Sequence, residues 1–231
     1  MTFSDLTTVL SDMTEAFAAS VPLTPLACGS YAAMRWPKLL PLMRFSVTRY
    51  AAPSFGNVFG MYTNGMGGRM QLATAVFTPN RGIDVPLLLV DVMAFGKKRA
   101  AFVEYYDCTA AKRTPAALAA VADAYRTAPD SVEKPAWYIA ERAPYSLIKG
   151  GADDGQLLSM LENAVTAYAA ECAAHTTTSA ENLTGLAAFI DRMVREGNPS
   201  AATLTRVLGR EGAERFFRTA VMPARYQDTA L

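Results

Sequence analysis

The stretch DVPLLLVDVMAFGKKRAAFVEYYD, residues 84–107, decides the fold. Two apolar runs rich in β-branched and aromatic residues flank GKK at 96–98, which spells two strands joined by a tight hairpin. So short a connection has no room for a crossover helix, so the strands are antiparallel. If 87–95 is a strand, alternation puts Leu87, Leu89, Asp91, Met93 and Phe95 on one face and Leu88, Val90, Val92 and Ala94 on the other. Both faces are apolar, so both are expected to be covered. Asp91 is the anomaly. An ionised carboxylate among such neighbours is costly unless it is paired, protonated or set beside a polar ligand. That profile fits a proton donor, and it also fits a structural Asp bonded to a neighbouring hydroxyl or arginine.

Outward from this hairpin the same texture repeats. RFSVTRYA from Arg44, FGNVFGMYT from Phe55 and MQLATAVFT from Met70 are strand-like and are separated by Gly, Pro, Asn or charged turns. AWYIAERAPYSLIKG, 136–150, is expected to add one more strand. The flanks are helical. Phe3, Leu6, Val9, Leu10, Met13 and Phe17 form a helical stripe that Pro22 and Pro25 end, and four further segments follow the sheet: TPAALAAVADAY, GQLLSMLENAVTAYAAECAAH, ENLTGLAAFIDRMVRE, and a pair from Ser200 to Val221 split at Gly209. The expectation is an α+β fold, a three-layer α/β/α sandwich with a central antiparallel β-sheet flanked by helices. With no repeat and no low-complexity linker, it is read as one domain spanning 1–231.

Composition narrows the chemistry. The chain of 231 residues is 51 % hydrophobic, enough for a substantial core, and 22 Lys plus Arg against 21 Asp plus Glu leave a net charge of +1, too little to suggest nucleic acid. Cys28, Cys108 and Cys172 show no CxxC spacing, and the single histidine, His175, cannot build a multi-histidine site, so no metal centre is expected. His175 follows an Ala-rich segment and reads as a helix end. GxGxxG, GxxxxGK[ST] and GxSxG are absent. The N-terminal stretch lacks a basic region and a spanning apolar run, so a cytoplasmic protein, and a monomer, is expected.

Three segments, in order, carry a resemblance. TAVFTPNRGIDVPLLLVDVMAFGKKRAAFVEYYD resembles the ferredoxin-dependent bilin reductases, whose central hairpin carries a Pro, an Asp-x-Pro, and then an aspartate with apolar residues, a short turn and a second strand. Pro79, Asp84, Pro86 and Asp91 fall on those places without a gap. PAWYIAERAPYSLIK is similar to the family's Trp-containing strand, with Lys149 near the place of a propionate-binding arginine. Asn198-Pro199, Leu208-Gly209 and Val221-Met222-Pro223 follow the order of the family's closing region.

The resemblance implies reduction of a linear tetrapyrrole, biliverdin or a related bilin. Electrons would come one at a time from ferredoxin or flavodoxin, with no tightly bound flavin, nicotinamide or metal, the bilin itself holding the radical. Such a reaction needs a flat apolar slot, to which Leu72 and Met93 would contribute, cations for two propionates, and an acid, for which Asp91 is the candidate. Thr74 stands at the family's second active-site position, often His or Asn, and Asn198 at that of a helical aspartate. A hydroxyl can bond Asp91 and an amide can bind a pyrrole oxygen, but neither ionises near neutral pH. These departures fit a two-electron reduction with one acid, and they leave a non-catalytic tetrapyrrole carrier as the alternative. Glu104, on the hairpin's partner strand, is the first place to seek a second acid, ahead of Asp107 and Asp191.

Other features have two readings each. Lys97, Lys98 and Arg99 could receive an acidic ferredoxin or simply solvate a turn, and Arg206, Arg210, Arg215 and Arg218 could do the same near the C-terminus. MYTNGMGGRM, 61–70, could line a planar ligand or form a loose hairpin turn.

Overall fold

The computed structural model describes residues 5–151 and 153–231. An eight-stranded, wholly antiparallel sheet runs through the molecule: β1 (Thr24–Leu26), β2 (Ala33–Trp36), β3 (Met43–Ala52), β4 (Gly56–Gly65), β5 (Met70–Thr78), β6 (Leu87–Phe95), β7 (Lys98–Tyr106) and β8 (Leu147–Gly150). Strands β3 to β8 are neighbours in chain order, and β1 and β2 both pair with the outer side of β3. The expected hairpin is there, with Leu87 opposite Tyr106 at one end and Phe95 opposite Lys98 at the other.

Six helices cover the sheet: α1 (Leu6–Ala18), α2 (Ala116–Ala124), α3 (Asp154–Ala174), α4 (Ala180–Arg195), α5 (Ala201–Leu208) and α6 (Arg210–Phe216), the last continuing as a π-helical turn over Phe217–Val221. Side-chain alternation separates two cores. Val90, Val92, Ala101 and Val103 pack with α1 and α3 residues such as Phe17, Leu161 and Tyr168, while Leu87, Leu89 and Tyr106 pack with Phe189 of α4, Leu204 of α5 and Phe216 of α6. Helices on both faces of one antiparallel sheet make the α+β sandwich that the alternation of β6 demanded. Aromatic rings anchor each layer: Phe17 lies 4.7 Å from Phe77 on one side, and Tyr106 lies 4.8 Å from Phe189 on the other, ring centroid to centroid. Gly185 lets α4 come close, since a Cβ there would stand 2.3 Å from the Cys108 carbonyl oxygen.

Two expectations need correction. Of 136–150 only Leu147–Gly150 is a strand. Trp137–Glu141 forms a 3-10 turn instead, in which Trp137 packs its ring against Phe189 and donates its indole N–H to the Gly197 carbonyl at 2.8 Å. Strands β1 and β2 were not expected, because at three and four residues they are too short to show a period. Phe3 of the first helical stripe lies outside the described residues. His175 caps the C-terminus of α3, as its sequence context suggests.

Candidate active site

Strand register brings Thr74 directly opposite Asp91, and Leu72 opposite Met93. On the other side of β6, Asp91 faces Phe102, Leu89 faces Glu104 and Met93 faces Ala100, while Phe102 in turn faces Ile148 of β8. Directly opposed residues share a face, so these side chains line one surface of the sheet. Helices α4–α6 cover its far half, where Val76, Leu87, Leu89 and Tyr106 are buried. Asp91, Leu72, Met93, Phe102 and Ile148 are only partly covered. The carboxyl therefore lies where the closed half of the face gives way to an open, apolar one.

The C-terminal tail closes the far end of the sheet. Buried Asn80 donates to the Pro223 carbonyl at 2.7 Å and to Asn57 Oδ1 at 3.0 Å, and Asn57 donates to the Gln227 carbonyl at 2.8 Å. Arg49, also buried, donates to the carbonyls of Ala27 at 3.3 Å and Thr219 at 3.2 Å and to the side chain of Gln227. These bonds clamp the chain after α6 onto the end of the sheet remote from the open half.

Thr74 Oγ1 donates to Asp91 Oδ1 at 2.5 Å. This bond favours the carboxylate, yet burial outweighs it and raises the Asp91 pKa to about 6. Glu104 is buried on the same face and is pushed up to about 7: burial is the largest cause, the negative charges of Asp91 and Glu133 add to it, and the Arg142 guanidinium and a Tyr106 hydrogen bond oppose it. Arg142 binds Glu104 and, through two contacts of 2.6 Å, Glu133, and Tyr106 donates its hydroxyl to Glu104 at 3.0 Å. The face thus holds two carboxyls of raised proton affinity, one partly open and held by a hydroxyl, the other buried and held by an arginine. Thr63 Oγ1, buried beside Leu72 across β4 and β5, has no hydrogen-bond partner.

The elevated Asp91 pKa has a thermodynamic sign. Between its ordinary value of 3.8 and about 6 the folded state binds the extra proton, so this group's contribution to stability falls as pH rises through that window. Asp91→Asn is expected to stabilise the fold above pH 6 by about 1–3 kcal/mol, a gain that fades as pH drops below 4. Urea unfolding at pH 4 and pH 8 measures it. An equal effect at both values would show that Asp91 does not titrate in this range.

Not every expected residue joins the site. Lys149, expected to hold a propionate, stands opposite Ala101 on the face packed by α1 and α3, because alternation turns it away from Ile148. Its ammonium is spent there, donating to Asp130 at 2.7 Å and to the carbonyls of Ala128 and Arg126 at 2.9 and 3.2 Å. Asn198, expected to shape the slot, is committed to its own loop: its amide donates to the Met193 carbonyl at 3.2 Å and accepts from the Ser200 N–H at 3.1 Å. It lines a separate cleft of about 460 Å³ between α4, α5 and α6.

Lys97 sits in the β6–β7 turn and Lys98 and Arg99 open β7, where Arg99 also lies 3.6 Å from Asp154. With Met93, Phe95 and Ala100 they border an open cleft of about 680 Å³ that continues the uncovered half of the Asp91 face. The segment 61–70 is the β4–β5 hairpin, with Met61 buried and Met66 exposed at its turn. Arg142 gave no signal in the sequence, since it lies in an irregular segment and meets Glu104 only through the fold.

No family model matches the chain. No curated protein matches it either. Among solved structures it is similar to the crystal structure of phytochromobilin synthase from tomato in complex with biliverdin, with a TM-score of 0.74 at 11 % identity over 92 % of this chain and 81 % of that one. At that identity the likeness is one of architecture, and the chain shares the α/β/α sandwich of phytochromobilin synthase.

Proposed function

We propose that this protein reduces a linear tetrapyrrole, biliverdin or a related bilin, on the Thr74–Asp91 face of its sheet. The observation that carries the reading is a single one. A carboxyl whose pKa is lifted to about 6 stands, held by a threonine hydroxyl, at the edge of an uncovered apolar surface, in a fold also seen in a biliverdin complex. Leu72, Met93, Phe102 and Ile148 supply a floor for a flat conjugated ligand. Lys97 and Lys98, rather than Lys149, are placed to meet propionate carboxylates at the rim.

Saturating one carbon–carbon double bond consumes two electrons and two protons. The electrons come singly from reduced ferredoxin or flavodoxin, with the radical carried by the bilin and no tightly bound cofactor needed. Protonated Asp91 delivers a proton to the electron-rich ring system, and Thr74 holds the carboxylate that results. Glu104 keeps a second exchangeable proton on the same face. The cations of the β6–β7 hairpin would receive an acidic donor by electrostatic steering.

An anaerobic absorbance time course with biliverdin and a reducing ferredoxin system tests this. The expected course is a red-shifted complex that passes through a radical intermediate to a blue-shifted product. A coloured complex that stays unchanged under reduction would instead identify a carrier, and no spectral change on mixing would remove bilins altogether.

A further inference from the structure

No Asp or Glu occurs in residues 16–83, which hold Arg35, Lys38, Arg44, Arg49, Arg69 and Arg81 and include the whole of β1 to β5. In a chain of net charge +1 this is a strong local asymmetry. Register brings its turns to one end of the sheet: Met43 opposes Gly65, Gly65 opposes Met70, and Met70 opposes Phe95. The loop between β2 and β3 and the turn between β4 and β5 are tied by a backbone bond from the Met66 N–H to the Leu42 carbonyl at 2.9 Å. From this tip Leu39, Leu40 and Leu42 project 94, 81 and 61 % exposed, with Met66 at 53 % beside them. Lys38, Arg35, Arg44 and Arg69 surround them, all exposed and none in an ion pair among the described residues.

We propose that this tip docks the protein on an anionic lipid surface. Protruding leucines framed only by cations match a bilayer interface, where acyl chains take the apolar side chains and anionic headgroups take the charges. The three leucines stand 61–94 % exposed on a protruding loop, a shape that inserts into an acyl interface, whereas cation pairing alone would leave them in water. No helix of the described residues is long and apolar enough to cross a membrane, so the association is peripheral. The open half of the Asp91 face runs down to this same end of the sheet, since Leu72 and Met93 lie two residues from Met70 and Phe95.

Co-sedimentation with vesicles tests it on the full chain. Binding is expected to mixed phosphatidylcholine–phosphatidylglycerol vesicles at low salt, weakening at high salt and on phosphatidylcholine alone. The double substitution Leu39→Asp, Leu40→Asp should reduce that binding by about tenfold or more while leaving the melting temperature unchanged, because neither side chain is packed. Absence of binding to the anionic vesicles, or equal binding by the variant, overturns the proposal. Two further results overturn it in favour of another occupant: a concentration-dependent dimer that the variant abolishes without any vesicle binding points to a second copy, and binding to polyglutamate as tight as to vesicles points to an acidic protein.

Discussion

Asp91→Asn is expected to leave bilin affinity within a few-fold and to lower turnover by ~10²-fold or more, the scale on which a general acid is lost. The amide oxygen can still accept the Thr74 hydroxyl, so the local geometry survives while the exchangeable proton does not. In the parent protein, turnover should decline as pH rises through about 6, because the working form of Asp91 is the protonated one. The variant should lose that limb of the profile. Single-turnover traces at several pH values separate the two effects. Unchanged turnover in Asp91→Asn would remove Asp91 from the chemistry and move attention to Glu104, the other carboxyl of raised pKa on this face.

The second large effect is on stability. Arg142 has a side chain only 8 % exposed and neutralises Glu104, at 3 %, together with Glu133, at 23 %. Arg142→Met keeps much of the aliphatic stem and strands one fully buried carboxylate, a loss expected to cost about 3–5 kcal/mol. The cost should be greatest at pH 8, where Glu104 must either stay charged without its partner or take up a proton from a dilute supply. It should shrink toward pH 5, where Glu104 can take up a proton instead. Chemical denaturation at both values checks the sign. A loss below about 1 kcal/mol at pH 8 would mean that the ion pair adds nothing to the fold that water does not replace.

The two substitutions also probe different parts of one constellation. Asp91 is partly open and takes its hydrogen bond from an uncharged neighbour, whereas Glu104 is shut in and shares its arginine with a third carboxylate. With Asp91 as the principal acid, the first substitution is expected to lose turnover without loss of fold, and the second to lose stability.

Much of the architecture was legible because it is local. The period-two patterns of β3 to β7, the Gly96 turn and the Gly209 break are properties of neighbouring residues, and the structure reproduces them within a few positions. Alternation along β6 also placed Asp91 with Leu87, Leu89 and Met93, and the parity of a strand holds whatever lies beside it. Thr74 entered the site through the family resemblance rather than through any pattern in its strand, and only the pairing of β5 with β6 sets it opposite Asp91.

What failed depended on contacts between distant segments. Lys149 has the right chemistry for a carboxylate, but its parity on β8 follows from where that four-residue strand docks against β7, which no pattern within it reveals. Asn198 stands in the right order along the chain and spends its amide on its own loop. Arg142 and Glu133 meet Glu104 across separations that sequence spacing does not encode.

By itself, then, the sequence determined the layers, the antiparallel sheet and the face on which its central aspartate stands, because helix and strand periods are written in adjacent residues. Only the tertiary structure decided how far the helices cover that face, which cations reach it and what raises its two carboxyls toward neutrality. Those depend on burial and on charges brought together from remote parts of the chain, and desolvation is a property of the assembled core rather than of any stretch of residues.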